Sequence, residues 1–246
     1  MSRDVDPNRA ISVSGVMETA LHYPSYVDLD PYIDVAWLRS LDGYIRDRLE
    51  RRLAKERDLA FYTGPFLLQQ DAPAVPGSRM VYLSRSSRDE DYYDLDRPEL
   101  WKASEEAEDF AELMAFIDSL PFKARGRMLI IYDEQGRAVS AHRDHDSAEL
   151  CHEFIWFRTN LAKPFFMLNP VSGERLDVRS HAAWFDSVNQ YHGADPTGGL
   201  SWSIRVDGVF DDAFRSLIPF PARNRSAAAA HWAAAVQEPG RVPAGA

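Results

Sequence analysis

Two hydrophobic periodicities divide the chain. Apolar residues recur at spacings of three and four in the first half, then in short runs broken by turn residues in the second. Trp37, Leu38, Leu41, Ile45, Leu49 and Leu53 line one stripe of an amphipathic helix. Asp30-Pro31 reads as its start, a capping residue followed by proline at the first helical position. Arg46, Asp47, Arg48, Glu50, Arg51 and Arg52 fall on the opposite, solvated side. Short strands are expected at 60–68 and 79–84, around the proline-bearing turn Asp71–Ser78, and the acidic stretch 88–97 reads as a surface loop. Ser104 is expected to cap a second helix carrying Phe110, Leu113, Met114, Ile117 and Leu120, stopped by Pro121.

From about residue 126 the runs shorten: Met128–Tyr132, Val139–Ala141, Phe154–Leu161, Phe165–Leu168, Arg175–Val178, Ala182–Phe185 and Ser201–Phe210. Breaks such as Asp133-Glu134-Gln135-Gly136 and Lys163-Pro164 separate them. Helices first and many short strands second predict a mainly β fold with flanking helices on the outside of one sheet. Its core is expected to be a double-stranded β-helix, the jelly-roll or cupin-like arrangement. Residues 1–222 are expected to form a single domain, with a helical N-terminal part at 30–122 and the jelly-roll core at 126–210. A tail with some helix follows at 223–246.

Composition narrows the function. At 246 residues and 45% hydrophobic the chain can bury a real core, which excludes wholesale disorder. Its net charge of −10 argues against nucleic acid as a partner. Cys151 is the single cysteine, so an internal disulfide and a thiol-rich metal site are both excluded. The polar Met1–Asn8 lacks the apolar core of a secretion signal, and no stretch is apolar enough to span a bilayer. A cytoplasmic protein without a membrane partner is the expectation; oligomeric state is not readable. G-x-S-x-G, P-loop and G-x-G-x-x-G patterns are absent, leaving serine-hydrolase, nucleotide-hydrolase and dinucleotide readings without support.

The chemistry concentrates in His142-Arg143-Asp144 and in His192 fifty residues on. Side chains two apart on a strand project to the same side, so His142 and Asp144 can reach one ion. A neighbouring strand after Ala183-Trp184-Phe185 can bring His192 to the same point. Two imidazoles and a carboxylate on one face leave the other face open, a donor set suited to Fe(II), Mn(II) or Zn(II). Arg205, beyond the second histidine, could hold the far carboxylate of a 2-oxo acid. Asp146 is an alternative carboxylate, and His145 and His152 with His142 an alternative zinc cluster. The strand pattern would scatter the latter. His181 reads as structural.

In the order and identity of these motifs, Gly126 to Phe210 resembles the iron(II)/2-oxoglutarate dioxygenases. The likeness is to the aspartyl/asparaginyl β-hydroxylase group, which includes bacterial free-proline hydroxylases. The matching pieces are Gly126-Arg127-Met128-Leu129-Ile130, His142-Arg143-Asp144, Trp156-Phe157-Arg158-Thr159-Asn160-Leu161, Trp184-Phe185-Asp186, His192-Gly193-Ala194 and Arg205-Val206-Asp207. The resemblance implies Fe(II), held by His142, Asp144 and His192, with 2-oxoglutarate and O2 as co-substrates. It implies oxidative decarboxylation to succinate coupled to hydroxylation of a C–H bond, in an amino acid or a peptidyl residue. Arg158 matches an arginine that helps to bind the co-substrate. The family's second such arginine falls at Ser201 here, and Arg205, four residues on and facing the same side, is the expected substitute. Arg127, Arg143 and Trp202 are expected to line the substrate pocket. Two other classes stay open: a cupin-like binding protein without turnover, and a metal-dependent hydrolase or isomerase on the same fold.

Overall fold

A computed structural model describes residues 24, 26–63, 78–86, 98–144, 153–170, 172–187 and 190–216. The helices are Val35–Ser40 (α1), Asp42–Thr63 (α2), Glu106–Asp109 (α3), Ala111–Asp118 (α4) and Asp212–Arg215 (α5). The strands are Val27–Asp28 (β1), Arg79–Tyr82 (β2), Ser84–Ser86 (β3), Trp101–Ala103 (β4), Phe122–Asp133 (β5), Val139–His142 (β6), Phe154–Phe157 (β7), Phe165–Leu168 (β8), Arg175–Val178 (β9), Ala182–Trp184 (β10), Tyr191–Ala194 (β11) and Ser201–Phe210 (β12).

The pairing of the last eight strands defines the architecture. β5 pairs with β12, β6 with β11, β7 with β10 and β8 with β9, every pair antiparallel. These pairs nest one inside the next, as if one long hairpin had been rolled up. Rolling brings β12 against β7 and β11 against β8, which completes two facing sheets. The larger runs β1-β10-β7-β12-β5-β2 and the smaller β6-β11-β8-β9. This is a jelly roll, as expected from the strand pattern. β3 and β4 form a separate hairpin-like pair.

Helices cover the outer face of the larger sheet. The stripe Leu38, Leu41, Ile45, Leu49 and Leu53 is buried in one cluster with Ile130, Phe157, Ile204 and Val206. An edge-to-face chain continues it, Trp37 to Phe116 at 5.4 Å and Phe116 to Phe157 at 5.6 Å between ring centroids. β7 and β12 therefore bury both faces, which explains why they read as near-continuous apolar runs. Polar ties fix the lead-in: the Asp30 carboxylate accepts from the backbone of His181 at 3.0 Å and Ala182 at 2.7 Å, and Asp42 accepts from Thr159 and Asn160.

Several local expectations change. Asp34, not Asp30, caps the first helix, accepting from the Trp37 amide at 2.8 Å, because Asp30 is spent on β10. Residues 60–63 continue α2 rather than opening a strand. Ser104 donates to the Tyr82 carbonyl instead of capping, and the second helix is divided at Phe110 into α3 and α4. β5 starts six residues earlier than its apolar run, at Phe122, and β7 stops at Phe157. The 64–68, 88–97 and 223–246 segments, with Cys151, His145, Asp146 and His152, lie outside the described residues. No described helix is long and apolar enough to cross a membrane.

Candidate metal centre

His142 ends β6, and His192 is its direct cross-strand partner in β11. Register alone therefore sets the two imidazoles side by side, with ring centroids 4.6 Å apart. Asp144 follows two residues after His142, and its backbone amide donates to the Ser187 carbonyl at 2.9 Å, which anchors the turn beyond β10. The result is three donor atoms within 4.8 Å of one another. Asp144 Oδ1 lies 3.2 Å from His192 Nε2 and 3.8 Å from His142 Nε2. Three ligands with bonds of about 2.1 Å on one octahedral face sit about 3 Å apart, so this spacing fits a first-row divalent ion.

Both histidines are held in the tautomer that metal binding needs. His142 Nδ1 contacts the Ser140 carbonyl at 2.8 Å, and His192 Nδ1 the Gln190 carbonyl at 3.1 Å. A carbonyl only accepts, so each Nδ1 carries the proton and each Nε2 presents its lone pair towards Asp144. Burial pushes the His142 imidazole below its ordinary range, and the neighbouring His192 adds to the shift. The neutral, ligating form is favoured.

Asp144 is held ionised. Burial alone would raise its carboxyl, but His192, whenever its Nε2 also carries a proton, donates to it, and the Arg205 guanidinium adds its charge; together they hold it well below the usual carboxylate range. Arg205 Nη1 donates to Asp144 Oδ2 at 2.8 Å, which turns Oδ1 towards the histidines. Arg205 Nε donates to Asp207 Oδ1 at 3.0 Å, and Arg127 Nε donates to Asp207 Oδ2 at 3.0 Å. The chain Asp144–Arg205–Asp207–Arg127 alternates in sign, two anions and two cations. Its balance lets Asp207 be fully buried.

A cavity of about 310 Å³ opens beside these ligands between the two sheets. It falls within the range of small-molecule sites. Trp156, Phe165 and Phe185 form an apolar wall of the cavity, and the two phenylalanines lie beside His192. Trp156 stacks on Phe165 with centroids 4.3 Å apart, and Phe185 lies 5.0 Å from the His192 ring. Arg46, Arg158, Lys163 and Arg205 supply the positive charge of the lining.

The residues expected to bind co-substrate and substrate divide. Arg205 and Arg158 line the cavity, but Arg205 is committed to Asp144 and Asp207. Arg158 donates to the backbone carbonyls of Lys163 at 2.7 Å, Ser180 at 3.3 Å and Val178. Burial lowers its pKa to about 10, still charged at neutral pH. Trp202 lines the cavity with the Arg46 guanidinium 4.9 Å over its ring. Arg143 stands outside the lining, 5.4 Å over Tyr191. Arg127 does not fit the expected substrate role: it is buried against Asp207, behind Arg205. Sequence reasoning missed the structural role of Asp207, used only as a motif landmark, and treated Lys163-Pro164 as a mere break. His181 is structural as expected, its Nδ1 on the Arg158 carbonyl at 3.0 Å.

No family model and no curated protein matches the chain. Among solved structures, it is similar to a prolyl-4-hydroxylase from Pseudomonas putida, at 14% identity and a TM-score of 0.38 over 79% of this chain and 97% of that one. It is also similar to an oxidoreductase of the 2OG-Fe(II) oxygenase family from Burkholderia pseudomallei, at 9% identity and a TM-score of 0.40 over 80% and 89%. A third is a prolyl hydroxylase from Trichoplax adhaerens in complex with a hypoxia-inducible-factor peptide, at 13% identity and a TM-score of 0.36 over 58% and 67%.

Proposed function

We propose that the protein is a non-haem Fe(II)/2-oxoglutarate-dependent oxygenase that hydroxylates a free amino acid or a peptidyl residue, working in the cytoplasm. One observation carries this reading: two Nε2 lone pairs and one carboxylate oxygen converge beside an apolar cavity, with both Nδ1 protons fixed on carbonyls. The N2O donor set and spacing fit iron, and His142, Asp144 and His192 would hold it. Bound there, iron with 2-oxoglutarate and O2 supplies the oxidising power that hydroxylation of an unactivated C–H bond requires.

The chain's own residues do the rest. The carbonyls of Ser140 and Gln190 orient the imidazoles, and Arg205 orients Asp144 and keeps it anionic. Trp156, Phe165 and Phe185 exclude water from the side of the cavity that faces the ligands, which protects an oxidising centre from unproductive reactions. A carboxylate in the ligand set favours hydroxylation over halogenation, which would need that position vacated for halide. A binding module would have no need of a metal-competent triad, and a hydrolase on this site would work without oxygen.

The test is turnover under controlled gas. Fe(II)-loaded protein supplied with 2-oxoglutarate and a panel of amino acids and short peptides is expected to form succinate in air and none under nitrogen. Equal turnover by metal-free protein, or activity that persists anaerobically with Zn(II), would exclude the assignment.

A further inference from the structure

The two oxygens of Asp144 are used differently. Oδ1 faces both imidazoles, 3.2 Å from His192 Nε2 and 3.8 Å from His142 Nε2. Oδ2 accepts a hydrogen bond from Arg205 Nη1 at 2.8 Å. The arginine that donates it has little freedom to leave. Its Nε donates to Asp207 Oδ1 at 3.0 Å, and its guanidinium carbon stands 3.9 Å from the centre of the Phe154 ring, a cation–π contact. Asp207 is fully buried and is held in turn by Arg127, whose Nε donates to Oδ2 at 3.0 Å.

These residues come from the larger sheet, whereas both histidines stand on the smaller one. Arg205 and Asp207, two apart on β12, project to one side. Phe154 is the cross-strand partner of Asp207 in β7, and Arg127 comes from β5 on the other flank of β12. Three neighbouring strands therefore build one strut, and it reaches the carboxylate that follows β6 of the other sheet. Stability alone does not call for it, since well-packed apolar residues of similar volume do as well as a buried ionic chain. Where the strut ends is what sets it apart: it terminates on the one oxygen of the ligand cluster that faces away from the histidines.

We propose that Arg205, Asp207 and Arg127 are positioning residues that confine Asp144 to ligation through one oxygen. A carboxylate with both oxygens free can take two positions on a divalent ion, as it does in many calcium sites. An octahedral ion held by His142, His192 and Asp144 Oδ1 alone keeps three positions open, and a second carboxylate oxygen would close one of them. Chelation by a 2-oxo acid uses two. The third is left for O2 only while Arg205 keeps Oδ2. The assignment rests on the oxygenase reading above and names the residues that hold its last position open.

Counting the waters on Mn(II) bound to the full chain tests it, by electron paramagnetic resonance in water enriched in the magnetic oxygen isotope. Wild type is expected to hold three waters on the ion. Arg205→Met is expected to hold two, because the freed Oδ2 joins the ion. Arg205→Lys, which keeps a donor for Oδ2, is expected to restore the third. Asp207→Asn keeps the shape of its side chain but not its charge, so Arg205 loses an anchor. A mixture of the two counts is expected there, and this variant serves should the methionine variant fail to fold. A merely structural strut would lower stability in these variants and leave the count at three. Two waters in wild type, or three in each folded variant that lacks the Arg205 or Asp207 charge, would overturn the strut's role alone. A wild type that takes up no Mn(II) would overturn the oxygenase reading, and this assignment with it.

Discussion

At the scale of single residues, what matters is which polar groups are free and which are spent. His142 and His192 each give Nδ1 to a carbonyl and keep Nε2 for an ion. Removing one ligand leaves a two-donor site, so His192→Ala is expected to weaken Fe(II) or Co(II) at least 100-fold while leaving the fold intact. Calorimetric titration and circular dichroism of the same sample would check it, and metal affinity unchanged from wild type would remove His192 from the site. Asp207 makes the opposite prediction. It touches no part of the cavity, yet it is fully buried between Arg127 and Arg205. Asp207→Ala takes a buried counter-ion from two guanidinium groups, and the loss expected for breaking a buried ion pair is about 3–5 kcal/mol. Urea unfolding would measure it. The grouping of His142, Asp144 and His192 that the structure shows was legible in the sequence because H-x-D spacing and a distal histidine are local facts. The arginines were not: whether Arg205 or Arg158 is available depends on partners 61 residues away in one case and on three backbone carbonyls in the other.

At the scale of elements, the site is a matter of register. β11 lies between β6 and β8 and is the strand that places His192 opposite His142. A strand delivering His192 was expected, but the hydrophobic pattern gave it no bounds, because Tyr191-His192-Gly193-Ala194 contains no apolar run; a histidine stands where a core residue would otherwise advertise the strand. The reverse error occurred at 60–63, where Ala60-Phe61-Tyr62 looks like strand and continues a helix, a short apolar run being ambiguous between the two. The apolar runs that became β5, β7, β8, β9, β10 and β12 were legible because both sheet faces are buried or consistently sided. Gly193 shows how closely β11 is held. A Cβ there would stand 2.7 Å from the Val139 carbonyl oxygen and 2.8 Å from the Phe166 ring. The first of these is backbone of β6 and cannot swing away. Gly193→Ala is expected to push β6 from β11, costing about 1–3 kcal/mol as overpacking does, and to part the histidines. Unfolding and metal titration should fall together in this variant; stability lost with metal affinity intact would show the strands to be more yielding than their packing implies.

At the scale of the whole molecule, the candidate metal site joins parts of the roll that the chain visits far apart. His142 and Asp144 come from the second strand of the roll and the turn after it, His192 from the seventh, and Arg205 ties Asp144 to the eighth. An ion held by all three ligands therefore binds the folded chain and not the unfolded one, in which the ligands lie up to fifty residues apart in sequence. Linkage converts that preference into stability: at free metal a hundred times its dissociation constant, folding gains about 2.7 kcal/mol. For a domain of this size each kcal/mol moves the midpoint of thermal unfolding by about 2–4 °C, so saturating Co(II) or anaerobic Fe(II) is expected to raise Tm by roughly 5–10 °C. EDTA should reverse the rise. The gain should disappear in His192→Ala, whose own Tm without metal should lie somewhat below that of the wild-type apoprotein, because the alanine also removes a buried ring packed beside Phe185 and Phe165. A wild-type Tm indifferent to metal, or a variant stabilised as much as wild type, would mean that the three donors do not act together on one ion, and the chemistry assigned to the cavity would have no centre.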